Sequence, residues 1–168
     1  MSYFASAAPS SWAASAVVII VISTGYSRAC LPTGGDRRLG TKPEPALFGK
    51  GAKQRALIEM WNRRMELGLL ACVAAAFRHL HPAAAQLEVP QVPAWGEANK
   101  PKAQDVMRIL DEELGKRRFI AGDEYSVADI TALVAVDFTK PARVERPPGL
   151  DNLARWHREV SARTSAKA

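Results

Sequence analysis

The sequence predicts an all-α fold, a helical bundle over residues 46–168 that follows a tail over residues 1–45, poorly ordered or a structured remnant. Three observations carry this. Apolar residues recur at steps of three and four along Ala52–Leu80, along the stretch ending near Arg118, and again from Leu150 to Arg163. A capping signature at Tyr125-Ser126-Val127-Ala128-Asp129-Ile130 opens a further stretch that is apolar on nearly every face through Phe138. The β-branched run Val17–Ile22 has no second strand to pair with, so a sheet is not expected.

Composition fits one domain with a real core: 168 residues, 48% hydrophobic and 24% charged. The formal net charge of +6 alone would suit a nucleic acid or an anionic surface. Most Lys and Arg, however, alternate with carboxylates, as in Arg63-Arg64-Met65-Glu66, which reads as solvated helix faces, and no nucleic-acid partner is expected. The basic triplet Lys116-Arg117-Arg118 closes a helix, where cations suit the dipole. Two cysteines, Cys30 and Cys72, make no disulfide framework. Cys72 falls in the apolar run Leu69–Phe77 and reads as a core thiol, so a reducing, cytoplasmic location is expected.

The tail comes first. Its apolar run Trp12–Ile22 is shorter than the ~20 residues of a membrane span, and no Lys or Arg precedes it as a signal peptide requires. No membrane span is expected. Arg28–Pro43 carries Gly, Pro and charge without periodicity and reads as loop.

A long helix is expected from Ala52 to Leu80. Leu57, Trp61, Met65, Gly68, Cys72 and Ala76 make one stripe, and Met60, Leu67, Leu70, Ala74 and Phe77 a second, so the helix packs on two sides. His79 and His81 end it near its negative pole; no third ligand stands at a metal-binding spacing, and no metal is expected. Pro82–Pro93 is a linker. The next helix is expected from Glu97 or Pro101 to Arg118, with Ala103, Val106, Met107, Leu110 and Leu114 inward. Lys102, Asp105, Arg108, Asp111 and Glu112 form its outer face.

Gly122 supplies the positive φ of a tight reversal. Ser126 and Asp129 then form a capping box, and Tyr125 and Ile130 occupy the two positions of a hydrophobic staple. Pro141 kinks or ends the helix that follows, and Pro147-Pro148-Gly149 breaks the pattern. The last helix turns Leu150, Leu153, Trp156 and Val160 inward, with Asp151 in its first turn.

The run Phe119-Ile120-Ala121-Gly122-Asp123-Glu124-Tyr125-Ser126-Val127-Ala128-Asp129-Ile130 resembles the start of the central helix in the C-terminal domain of cytosolic glutathione S-transferases. The likeness starts near Pro45-Ala46-Leu47-Phe48-Gly49, includes Asn152-Leu153-Ala154-Arg155-Trp156-His157, and reaches about Ser165. It does not cover the N-terminal quarter, where no thioredoxin-like domain is recognisable. Tyr26-Ser27-Arg28-Ala29-Cys30 faintly resembles the catalytic turn of cysteine-using members, but Leu31-Pro32-Thr33-Gly34-Gly35 cannot continue as the helix that turn requires. Val89-Pro90 and Val92-Pro93 resemble the Val-Pro beside which the family holds glutathione, yet they lie between helices and read as loop prolines.

The resemblance implies a family that transfers glutathione to electrophiles, with glutathione as co-substrate. The helical half supplies the electrophile pocket and part of a dimer interface. On that basis the pocket residues expected here are Trp61, Arg64, Met65 and Gly68, with Asn62 or Arg63 reaching glutathione across a dimer. The Glu-Ser or Gln-Ser pair that holds the γ-glutamyl end is absent from the sequence. The expectation is a truncated transferase-like protein that binds no cofactor alone, with little or no activity alone. The alternative is a non-catalytic helical interaction module that pairs with itself or another protein through the long helix.

Overall fold

The structure is a computed structural model that describes residues 46–166. The expected tail, with Trp12–Ile22 and Cys30, lies outside the described residues. Those described form an all-α bundle, in which a single bridge between Phe119 and Gly122 is the extent of β pairing.

Helix α1 (Gly51–Arg63), a widened π segment (Arg64–Leu70) and α2 (Ala71–Leu80) follow one another with helical backbone at both junctions. The π segment was not legible in the sequence, and it changes which residues face inward. Trp61, Met65, Leu69, Val73 and Phe77 are all buried, at steps of four. An α-helix turns about 100° per residue, so each four-residue step overshoots by about 40°. Hydrogen bonds from i to i+5 unwind the chain and take up part of that drift. The inward face therefore runs through Leu69 and Val73, rather than through Gly68 and Cys72, which a uniform α period selects. The second expected stripe is also corrected: Met60 stays 42% and Leu67 66% exposed.

A 3-10 turn (Pro82–Ala84) and a loop lead to α3 (Pro93–Leu114). The helix starts earlier than expected because Pro93 fills its first turn, where the missing N–H is no loss, and Pro101 is carried inside. His79 and His81 act as acceptors at this corner. Nδ1 of His81 takes the Ala83 N–H and Nδ1 of His79 the Val92 N–H, both at 3.1 Å. The Val89–Pro90 bond in the loop is cis. Gly96 is where α3 meets α2: a Cβ there would stand 2.6 Å from Leu80 Cγ.

Helix α5 (Asp151–Ser161) lies against α3, and the two exchange caps. Asp111 Oδ1 accepts the Leu153 N–H at 2.8 Å at the positive end of α5. Arg155 Nη2 donates to the Leu114 carbonyl at 2.8 Å at the negative end of α3. Asp111 is thus a cap rather than a solvated member of the outer face. The inward stripe of α5, Leu153, Trp156 and Val160, is buried as the periodicity requires.

The central helix α4 (Val127–Phe138) packs against α1, the π segment, α2 and α5. Its capping box is present. The Asp129 carboxylate, fully buried, collects four donors: Oδ2 accepts the Ser126 N–H at 2.9 Å and its hydroxyl at 3.0 Å. Oδ1 accepts the Ile120 N–H at 3.1 Å and the Trp156 indole N–H at 2.9 Å. Gly122, at φ 150°, makes the reversal that brings Ile120 back to this point. Tyr125 sets its ring edge-on to Phe119 and lies under Arg163, while Ile130 remains 37% exposed. Helix α4 stops at Phe138, ahead of Pro141, where Arg146 Nη2 donates to the Val136 carbonyl at 3.0 Å.

Candidate functional site

The long helix and α3 border a cleft of about 420 Å³. Trp61, Met65 and Gly68 line it with Arg63 and Arg64 from one side, and Val106 and Ile109 from the other; Leu67 completes the wall. The four residues expected in the pocket, Trp61, Arg64, Met65 and Gly68, are brought together here. Their gathering follows from helical steps of three and four, which place 61, 64, 65 and 68 on one side of the chain. Leu67 and Ile109 were not anticipated. Val106 was assigned to the inward stripe of α3 and is half-buried at the cleft edge.

The cleft is apolar with a basic rim. Arg63 is held by Glu59 at 2.8 Å and Glu66 at 2.7 Å. Arg64 stands 4.6 Å over the Trp61 ring and has no ion pair among the described residues. Arg117 lies 5.2 Å from the same ring, with its charge taken by Glu113. Trp61 is 3% exposed, yet its Nε1–H donates to nothing among the described residues. An indole nitrogen can only donate, and a buried donor left unpaired costs about 1–3 kcal/mol.

Asn62 does not belong to the cleft. It is buried, and its Oδ1 accepts the Thr131 hydroxyl at 2.7 Å, which ties α1 to α4. Its side chain is turned inward, toward α4. Tyr125, Ser126, Asp129 and Ile130 lie at the α4 turn and are not among the cleft-lining residues. No three His, Cys, Asp or Glu side chains gather as a metal site among the described residues.

Cys72 is half-buried, and burial raises its thiol pKa against the pull of Lys102. The reactive form is the thiolate. Cys72 is therefore expected to alkylate with iodoacetamide more slowly than free cysteine at neutral pH. Peptide-resolved mass spectrometry of the folded chain measures this, and labelling at the free-cysteine rate would contradict it.

A bundle with a capped central helix, a buried carboxylate hub and a cleft on its long helix defines a class. The described chain carries a glutathione S-transferase C-terminal helical domain. Residues 93–159 match the family model described as glutathione S-transferase, C-terminal domain. The chain is similar to glutathione S-transferase 2 of Saccharomyces cerevisiae, 33% identical over 124 residues, which are 73% of this chain and 53% of that protein. Among solved structures it is similar to a glutathione S-transferase domain-containing protein of Marinobacter aquaeolei VT8, with TM-score 0.71 and 42% identity over 75% of this chain and 62% of that one. It is also similar to Gtt2 from Saccharomyces cerevisiae, with TM-score 0.70 and 33% identity over 73% of this chain and 60% of that one. The chain thus spans about half the length of the curated relative it matches.

Proposed function

We propose that this chain supplies the electrophile-binding side of a glutathione transferase reaction. The cleft bordered by Trp61, Arg64, Met65 and Gly68 receives the electrophile, and glutathione is the co-substrate that the relatives' names indicate. The observation that carries this reading is an apolar cleft on the long helix of a domain of this family. Activation of the glutathione thiol needs a hydroxyl or thiol donor beside the sulfur, and the cleft lining contains no Ser, Tyr or Cys. Conjugation therefore needs a glutathione-binding half in addition to residues 46–166, and the chain alone has little or no activity.

The test is conjugation of glutathione to an aromatic electrophile by the full chain. The expected rate is close to the uncatalysed background. Turnover at an ordinary enzymatic rate, on the order of 1–1,000 s⁻¹, would overturn the reading.

One observation favours a second reading, an interaction face. Met60, Leu67 and Ile109 are large, apolar and exposed on the long helix and α3. Such a patch suits a second copy of this chain or another protein partner. Concentration-dependent dimerisation in sedimentation supports it, and a monomer at every concentration without a bound partner counts against it. Among the described residues no helix is long and apolar enough to cross a membrane.

A further inference from the structure

We infer that the corner joining α2 to α3 is a self-association surface, on which a second copy of this chain covers Leu87, Val89, Val92 and Trp95. These four side chains are large, apolar and close together in sequence, and they are between 46% and 80% exposed. Clustered exposure of this kind marks an interaction surface, and Trp is the residue type most often found as its anchor. The surface is separate from the cleft. Trp95 lies in the first turn of α3, and Ile109 is 14 residues further on, about 21 Å along the helix axis.

The corner is held in shape before anything docks. Gln91 Nε2 donates to the Arg78 carbonyl at 2.7 Å and to the His81 carbonyl at 3.1 Å, which ties the loop to the end of α2. The Lys102 ammonium lies 4.9 Å from the Trp95 ring. A preformed surface loses little ordering entropy on association. The flanking charges select the occupant. Glu97 is engaged by Lys100, whereas Arg78 and Glu88 have no ion pair among the described residues. One unmatched cation and one unmatched anion beside a single apolar patch are self-complementary about a two-fold axis, so that Glu88 of each copy meets Arg78 of the other. An acidic partner would face Glu88, a basic partner would face Arg78, and a lipid interior would take in both charges unpaired.

Four side chains and one charge pair per copy make a patch below the ~800 Å² per partner of a standard interface, so the association is weak. The experiment is sedimentation velocity on the full chain at rising concentration, up to about 500 µM, with a dimer expected to form at roughly 10–100 µM. Trp95→Ser and Val89→Asp change exposed positions, and each should weaken the dimer by roughly tenfold while circular dichroism stays unchanged. Leu67→Ser, in the cleft wall, should leave it as it is. Arg78→Glu and Glu88→Arg should each weaken association, because like charges then meet across the axis. The double exchange restores the pairing and should return the dimer to within about threefold of wild type, an effect that shrinks as salt rises.

A monomer throughout the concentration range overturns the inference, and so does a dimer that survives Trp95→Ser and Val89→Asp. Loss of the dimer in Leu67→Ser alone overturns it in favour of the patch on the long helix. A double exchange no better than the single variants overturns the two-fold pairing. Binding of a monomeric chain to phosphatidylcholine vesicles, abolished by Val89→Asp, overturns it in favour of a lipid surface.

Discussion

Replacing Asp129 by Ala is expected to cost about 3–5 kcal/mol, because several buried neutral donors lose the one acceptor they share. One carboxylate serves Ile120, Ser126 and Trp156, so its loss orphans the Ile120 and Ser126 N–H groups and the indole donor together. Each buried donor left alone costs about 1–3 kcal/mol, against a total domain stability of about 5–15 kcal/mol. A loss of 3 kcal/mol lowers Tm by roughly 10 °C in a domain of this size.

Asp129→Asn should cost less, about 2–3 kcal/mol. Its oxygen can stay with Ile120 and Trp156, and the Ser126 hydroxyl can turn to accept from the new amide. The Ser126 N–H then remains unmatched. Urea denaturation of both variants gives the ranking, and a cost below 1 kcal/mol for Asp129→Ala would contradict the hub.

Burial pushes the Asp129 carboxyl above its ordinary pKa, against the pull of the Ile120, Trp156 and Ser126 donors. The folded chain then holds this proton to higher pH than the unfolded chain does. The resulting contribution is full below the unfolded value, near 4, and declines as pH rises through the folded value. The stability gap between wild type and the non-ionising Asp129→Asn is therefore expected to widen as pH falls from 7 toward 4.

Leu69→Ala is the second large effect, at about 2–5 kcal/mol, while Leu67→Ala two residues away should change stability by less than about 0.5 kcal/mol. Leu69 has no exposed surface and Leu67 is 66% exposed. On a strict α-helix, Leu69 would sit about 80° round from Trp61, and Val73 about 120°. The widened turn at Arg64–Leu70 moves both toward the centre of the buried face. Val73→Ala should accordingly be costly too, whereas Cys72→Ala should be mild. Thermal unfolding of these four variants decides the register, and a costly Cys72→Ala beside a neutral Val73→Ala would restore the uniform period.

What was legible in the sequence is local. The Ser126–Asp129 capping box is written in four residues, and the inward stripe of α5 in a three-to-four period; both are found in place. The grouping of Trp61, Arg64, Met65 and Gly68 round one cleft follows from spacing on a single helix. The remainder depends on partners far along the chain. Nothing near Asp111 announces that it caps α5, 42 residues on, and nothing near Trp156 points to Asp129. Asn62 turned inward because Thr131 of α4 meets it, a contact across 69 residues. The π segment escaped because periodicity analysis presupposes a constant turn. The start of α3 was placed at Glu97 or Pro101, whereas Pro93 fills its first turn.

Trp61 and Met65 are both core residues and cleft residues. A mutational drift toward new ligands in this lineage cannot reshape one without disturbing the other. Met is the side chain best able to absorb such change, since its unbranched, polarizable thioether refills altered space. Exposed cleft positions such as Leu67 are thus where variation in ligand taste can accumulate at the smallest penalty in foldedness, with Met65 refilling altered space, and position 61 is where it is most constrained.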